Sequence, residues 1–141
     1  MTGNTTRMTT TDSITDTTTY RATAVFPHNV TTTKDVTVTA QYPIYYFGST
    51  SATVNSAAIT AGTKKVASNA AGDYNITLAA NLTYFWFCVP SNMNVSSATL
   101  SGFDLPLEAA VTVAVDGKGS YKCYRSSNTN DAGSYKVTLK A

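Results

Sequence analysis

From Tyr20 onward the apolar side chains of this chain recur at every second position, in short segments separated by Gly, Pro, Asn and Asp. A period of two puts successive side chains on opposite faces of an extended backbone, so each segment predicts a strand with one apolar and one wet face. Tyr20, Ala22, Ala24 and Phe26 alternate with Arg21, Thr23 and Val25 until Pro27 interrupts the ladder, and Val36, Val38 and Ala40 alternate with Thr37, Thr39 and Gln41. Tyr74, Ile76 and Leu78 repeat the pattern, as do Val111, Val113 and Val115, and then Tyr135, Val137 and Leu139. Leu82 to Val89 is apolar on both faces apart from Thr83, which predicts a central strand covered on both sides. Asp116-Gly117-Lys118-Gly119 predicts a hairpin turn returning through Tyr121–Arg125, and Asn128, Asn130, Asp131 and Gly133 mark the loop before the last strand. About seven or eight strands with polar turns and no helical stripe predict an all-β, antiparallel β-sandwich, Ig-like or jelly-roll-like. The stretch Ser51–Lys65 breaks the pattern; Val54, Ala57, Ala58 and Ile59 space one helical turn, and the stretch is read as a loop.

At 141 residues the chain is the size of one domain, and residues 20–141 are assigned to the sandwich. Residues 1–19 carry ten Thr and only Met1, Met8 and Ile14 as apolar side chains, too little apolar surface to offset the entropy of ordering. They predict an extended arm that lies along a neighbour by adding to a free sheet edge, with Met8 and Ile14 as its candidate interface residues. Hydroxyls do the work of charges here, with 26 Thr and 13 Ser against 13% charged residues. A net charge of +2 offers no field for phosphate neutralisation, which argues against a nucleic-acid partner. The first twenty residues have neither a basic segment followed by an apolar run nor any membrane span, so neither a signal peptide nor membrane insertion is expected.

Chemistry-bearing residues are sparse. His28 is the single histidine, placed between Pro27 and Asn29, with no carboxylates or thiols at ligand spacing around it. The eight carboxylates are scattered singly, so no acid–base pair can be nominated. Asn128-Thr129-Asn130-Asp131 is the one oxygen-rich cluster, and turn chemistry accounts for it better than calcium does. No cofactor and no catalytic residue is expected. Cys88 and Cys123 read as buried thiols, with a bridge between neighbouring strands left open.

Aromatic residues mark the remaining candidates. Tyr84, Trp86 and Cys88 of the central strand, with Val113, Cys123 and Val137, form the candidate core. Tyr45 and Tyr46 follow one another in a strand, so one of them is expected outside, and with Phe47 they make a candidate interface patch as readily as ordinary packing.

Three segments, Pro43-Ile44-Tyr45-Tyr46-Phe47-Gly48, Tyr84-Phe85-Trp86-Phe87-Cys88-Val89-Pro90 and Tyr121-Lys122-Cys123-Tyr124-Arg125-Ser126-Ser127, together resemble a small β-sandwich domain of tailed-bacteriophage virion structural proteins. That domain carries a Pro-x-Tyr-Tyr-Gly motif, from which Phe47 departs as an insertion. The resemblance covers about residues 34–141. It implies a non-enzymatic virion component, in a fibre, an appendage or a capsid decoration, located in the virion and made in the host cytoplasm. Its implied partners are copies of itself and other virion proteins, and its implied alternative role is a receptor- or carbohydrate-binding adhesion module reaching a host surface glycan or receptor.

Overall fold

The computed structural model describes residues 18–38 and 42–141. Contacts within the chain divide it into two units, with the boundary between Ala40 and Gln41.

In the first unit, β1 (Thr18–Phe26) and β2 (Val30–Val38) pair antiparallel over nine residues through a 3-10 turn at Pro27–Asn29. Pro27 sets the turn's first φ, and His28 and Asn29 reverse the chain with left-handed φ values of 68° and 60°. The register puts Tyr20 opposite Val36 and Phe26 opposite Val30, making one apolar face that also holds Ala22, Ala24, Thr32 and Lys34. The other face is polar apart from Val25: Arg21 donates from Nε to Asp35 at 2.7 Å and from a terminal nitrogen at 2.9 Å, and Thr19 bonds Thr37 at 3.0 Å. These strands were assigned by their alternation to the sandwich. Among the described residues they form a two-stranded sheet with each other, and Thr19 to Thr37 are exposed. Alternation shows that a strand has an apolar face; it does not show what covers that face.

The second unit is the sandwich, and all of its strand pairs are antiparallel. Its elements are β3 (Ile44–Ser49), α1 (Ser56–Ala61), β4 (Thr63–Lys65), β5 (Gly72–Leu78), β6 (Tyr84–Pro90) and β7 (Ser97–Leu100). They are followed by β8 (Phe103–Asp104), β9 (Val111–Val115), β10 (Gly119–Arg125) and β11 (Gly133–Lys140). One sheet runs β4-β3-β6-β10-β9 and the other β5-β11-β7-β8; with β1 and β2 the described residues hold eleven strands where seven or eight were expected, because β4, β7 and β8 are too short to show a period. Tyr74, Ile76 and Leu78 of β5 and Val137 and Leu139 of β11 meet Ile44, Phe85, Phe87 and Val89 across the interior. Edge-on rings lock that contact, Tyr74 against Phe87 at 5.7 Å and Tyr46 at 5.1 Å. The hairpin of β9 and β10 turns at Gly117 and Gly119, both at positive φ.

Two local readings are corrected. The central strand begins at Tyr84 rather than Leu82, since Leu82 takes a left-handed φ of 59° and is exposed. The buried Thr83 donates Oγ1–H to the Ala80 carbonyl at 2.7 Å and forms a bridge with Asn130. The supposed loop over 51–65 contains both α1 and β4: Asn55 caps the helix by accepting from the Ala58 amide at 2.9 Å, and Ile59 is buried.

Candidate functional site

Strand β6 is buried on both faces because each face of its sheet has its own cover. The inner face meets the four-stranded sheet. On the outer face Tyr45, Trp86, Cys88, Val115, Tyr121 and Cys123 form a second cluster with Ile59 of α1, flanked by Tyr42, Phe47, Val54, Tyr84 and Val113. Register lines up Val111, Cys123, Cys88 and Tyr45 in one row across four adjacent strands, and Arg125, Trp86 and Phe47 in another. Phe47 stacks on Trp86 at 6.5 Å, and the Arg125 guanidinium lies 4.3 Å from the centre of the Tyr84 ring.

The segments before and after β3 are tied down over this face. Trp86 Nε1–H donates to the Ser51 carbonyl at 3.2 Å, and Tyr121 donates its hydroxyl to the Pro43 carbonyl at 3.0 Å. Gly62 is needed for the close approach, since a Cβ there would stand 2.7 Å from the Phe47 ring and 3.1 Å from the Ile59 carbonyl. Burial raises the Tyr45 and Tyr121 phenols above their ordinary range, so both are neutral donors at neutral pH. Among the described residues, Tyr45 Oη is a buried side-chain atom without a hydrogen-bond partner. Closed and lined by aromatic and aliphatic side chains, the site offers packing and two thiols rather than proton chemistry.

The residues singled out in the sequence are distributed as follows. Trp86, Cys88, Cys123 and Val137 are buried, while Tyr84 and Val113 are half-buried. Tyr45, Tyr46 and Phe47 do not make an exposed interface patch: Tyr45 is wholly buried under the α1 segment, Tyr46 packs on Tyr74 and Phe47 on Trp86. The expectation that one of the two tyrosines is outside fails because the cover over their second face was read as a loop. Met8 and Ile14 lie outside the described residues. His28 stands exposed at the hairpin turn. The Asn128 carbonyl accepts from Ser126 Oγ at 2.8 Å, and the Asn130 amide donates to the Thr83 carbonyl at 2.8 Å. A cleft of about 450 Å³ brings Asp104 and Glu108 together with Tyr124, a juxtaposition that single carboxylates in the sequence did not reveal, but both acids are exposed to water.

A family model described as copper binding proteins, plastocyanin/azurin family, matches residues 2–100. No curated protein and no solved structure matches the chain. The family match overturns the bacteriophage resemblance, and with it the virion component, its adhesion-module alternative, the fibre and capsid roles and the virion location. The three segments that carried the resemblance are β3, β6 and β10, adjacent strands of one sheet, and their aromatic residues are accounted for by covering both faces of that sheet.

The family implies copper, and the residues present do not fit it. A blue-copper centre takes two imidazoles and a thiolate with a weak axial ligand. This sequence has one histidine, and it lies in the hairpin unit, so residues 42–141 supply no imidazole at all. Among the described residues no three His, Cys, Asp or Glu side chains come together as a metal-holding group. Both thiols point into an apolar cluster of aromatic and aliphatic side chains rather than toward nitrogen ligands.

Proposed function

The chain belongs to the plastocyanin/azurin family of copper-binding proteins, and from that starting point we propose that it is a non-enzymatic, copper-free member that works by protein contact, joining copies of itself through the β1–β2 hairpin. The observation that carries this reading is the hairpin's apolar face, on which, among the described residues, Phe26 is 52% and Val30 58% exposed beside Tyr20 and Val36. Two strands alone are marginal in water, and covering apolar surface contributes roughly 25 cal/mol per Å². A second copy is the best-matched partner. The face carries one charge, Lys34, while Arg21 and Asp35 pair with each other on the opposite side, so nothing on it selects an acidic or basic partner. An apolar strip meeting its own twin is complementary by symmetry. The scattered carboxylates and the isolated, exposed His28 support the non-enzymatic part.

Light scattering on the full chain and on a Phe26→Ser/Val36→Ser variant tests the contact. The expected result is a multiple of the 14.9 kDa chain mass for the wild type and a single chain for the variant. A wild type that stays at 14.9 kDa over a wide concentration range overturns it. Titration with Cu(II) tests the copper-free part: an intense blue thiolate-to-copper absorption band refutes it, and no such band is expected.

A further inference from the structure

Cys88 and Cys123 face one another across β6 and β10, and both are free thiols with no solvent exposure. The hydrogen-bond pattern fixes what kind of pair they make. At one end of the ladder Ser126 N–H donates to Phe85 O at 2.9 Å, and at the other Ser91 N–H donates to Ser120 O at 3.0 Å. Bonded and non-bonded pairs alternate along antiparallel strands, so stepping inward from either end makes Cys88 and Cys123 a non-hydrogen-bonded pair. Such pairs hold their Cα atoms about 4.5 Å apart with the side chains drawn together, inside the ~4.4–6.8 Å that a disulfide spans. The neighbouring Cys123 thiol, together with burial, pushes the Cys88 pKa far above its ordinary value.

We propose that Cys88 and Cys123 are a redox pair that closes into a cross-strand disulfide by exchange with a small-molecule disulfide such as oxidised glutathione. The attacking species in exchange is the thiolate. Inside the closed sandwich both sulfurs are out of reach of a disulfide in solution, so exchange takes place on chains that have opened this face or have not yet folded. One cysteine, having lost its proton to water, attacks a glutathione sulfur; the glutathione S–S bond breaks and one glutathione leaves as thiolate. The second cysteine, deprotonated in turn, attacks the first cysteine's sulfur in that mixed disulfide, forming the Cys88–Cys123 bond and releasing the second glutathione. Two protein thiols are oxidised by two electrons, and one glutathione disulfide is reduced to two glutathiones. Once the chain folds, its register sets the two cysteines opposite each other, so the bond staples β6 to β10 beneath the face that α1 covers.

The test refolds the full chain from urea in glutathione buffers of graded oxidising strength, alkylates the remaining thiols and measures intact mass. Both thiols are expected to disappear together, with no glutathione retained. The single variants Cys88→Ala and Cys123→Ala are expected to retain one glutathione as a mixed disulfide. By loop-closure entropy, the bridged chain should show an unfolding equilibrium constant lower by roughly two to three orders of magnitude than the reduced chain, read from urea titrations of Trp86 fluorescence. Two thiols still open to alkylation after oxidative refolding, mixed disulfides accumulating on the wild type, or a bridged chain that unfolds at lower urea than the reduced one each overturn the proposal.

Discussion

Ser126 sits where β10 leaves the sheet, and its side chain completes the ladder there. Its amide donates to Phe85 O at 2.9 Å, as a strand partner would, but Phe85 N–H donates to Ser126 Oγ at 3.0 Å. The hydroxyl in turn donates to Asn128 O at 2.8 Å. The bridge between Ser126 and Leu107 is made by the flanking residues, Ser127 N–H donating to Pro106 O and Glu108 N–H to Arg125 O, both at 2.8 Å. The substitution Ser126→Ala strands two groups of unequal importance. Asn128 is exposed, so its carbonyl regains a bond from water. Phe85 is wholly buried, and its amide has no route to water. An unpaired buried donor costs about 1–3 kcal/mol, so a loss of about 2 kcal/mol is expected from this one amide. With a urea m-value of about 2 kcal/mol/M, that lowers the unfolding midpoint by about 1 M. Trp86, the single tryptophan and a buried one, reports on the sandwich directly. The control is Ser134→Ala, which removes a hydroxyl bonded at 3.1 Å to Thr77 on the exposed face. If Ser126→Ala shifts the midpoint no more than the control does, the hydroxyl is not standing in for the carbonyl.

Three further outcomes follow from the same geometry. Tyr45→Phe removes the buried hydroxyl that lacks a partner and is expected to raise stability by about 1 kcal/mol in urea titration; a loss of that size means the hydroxyl is bonded in solution. Gly48→Ala is expected to cost about 1–3 kcal/mol, because its Cβ collides with the Leu78 side chain and lies 3.1 Å from Thr83 Cγ2; an unchanged midpoint refutes the tight contact between the sheets. Burial, aided by Tyr46, pushes the Tyr74 phenol up to about 12, so its contribution to stability is complete below the unfolded value and is lost as pH rises through that range. Tyr74→Phe should therefore flatten the fall in stability between pH ~10 and ~12 while lowering stability at neutral pH through the lost bond to Ala70 O, and an unchanged alkaline slope contradicts the assignment.

What was legible in the sequence is what a period of two encodes. The alternation in β5, β9 and β11 and the doubly apolar run in β6 identified strands and placed β6 at the centre of a sheet. The antiparallel β-sandwich follows from those segments and is what the chain forms. Helix α1 was not legible, because six residues make fewer than two turns and owe their helicity to the Asn55 cap and the docking of Ile59 rather than to a pattern. Its absence from the sequence reading carried over to Tyr45, whose burial depends on that cover. The pairing of Cys88 with Cys123 needed the register of β10 on β6, which is set by the whole ladder and not by residues next to either cysteine. Family membership was hidden for a different reason. The match runs along residues 2–100, whereas sequence reasoning looks for a metal family through its ligands, and this sequence does not contain two histidines.

With no imidazole in residues 42–141, the sandwich is closed by its own side chains. In domains that fold around a metal, the binding free energy is folding free energy, and a chain without the ion has too little core of its own. Here the five-stranded sheet is covered twice. Its inner face is closed by the rings and aliphatic chains shared with β5 and β11, and its outer face by Trp86, Tyr121, Tyr45 and the two thiols beneath α1. The outer cluster is filled by large aromatic side chains, each of which buries roughly 150–250 Å², together with Cys, which packs as a small hydrophobe. Imidazoles in that cluster would need partners for their ring nitrogens, and among the described residues it already contains one unpartnered hydroxyl. The outer face is thus built to exclude water and polar groups, the opposite of what a ligand cage requires, and chelators should leave the unfolding midpoint of the sandwich where it is.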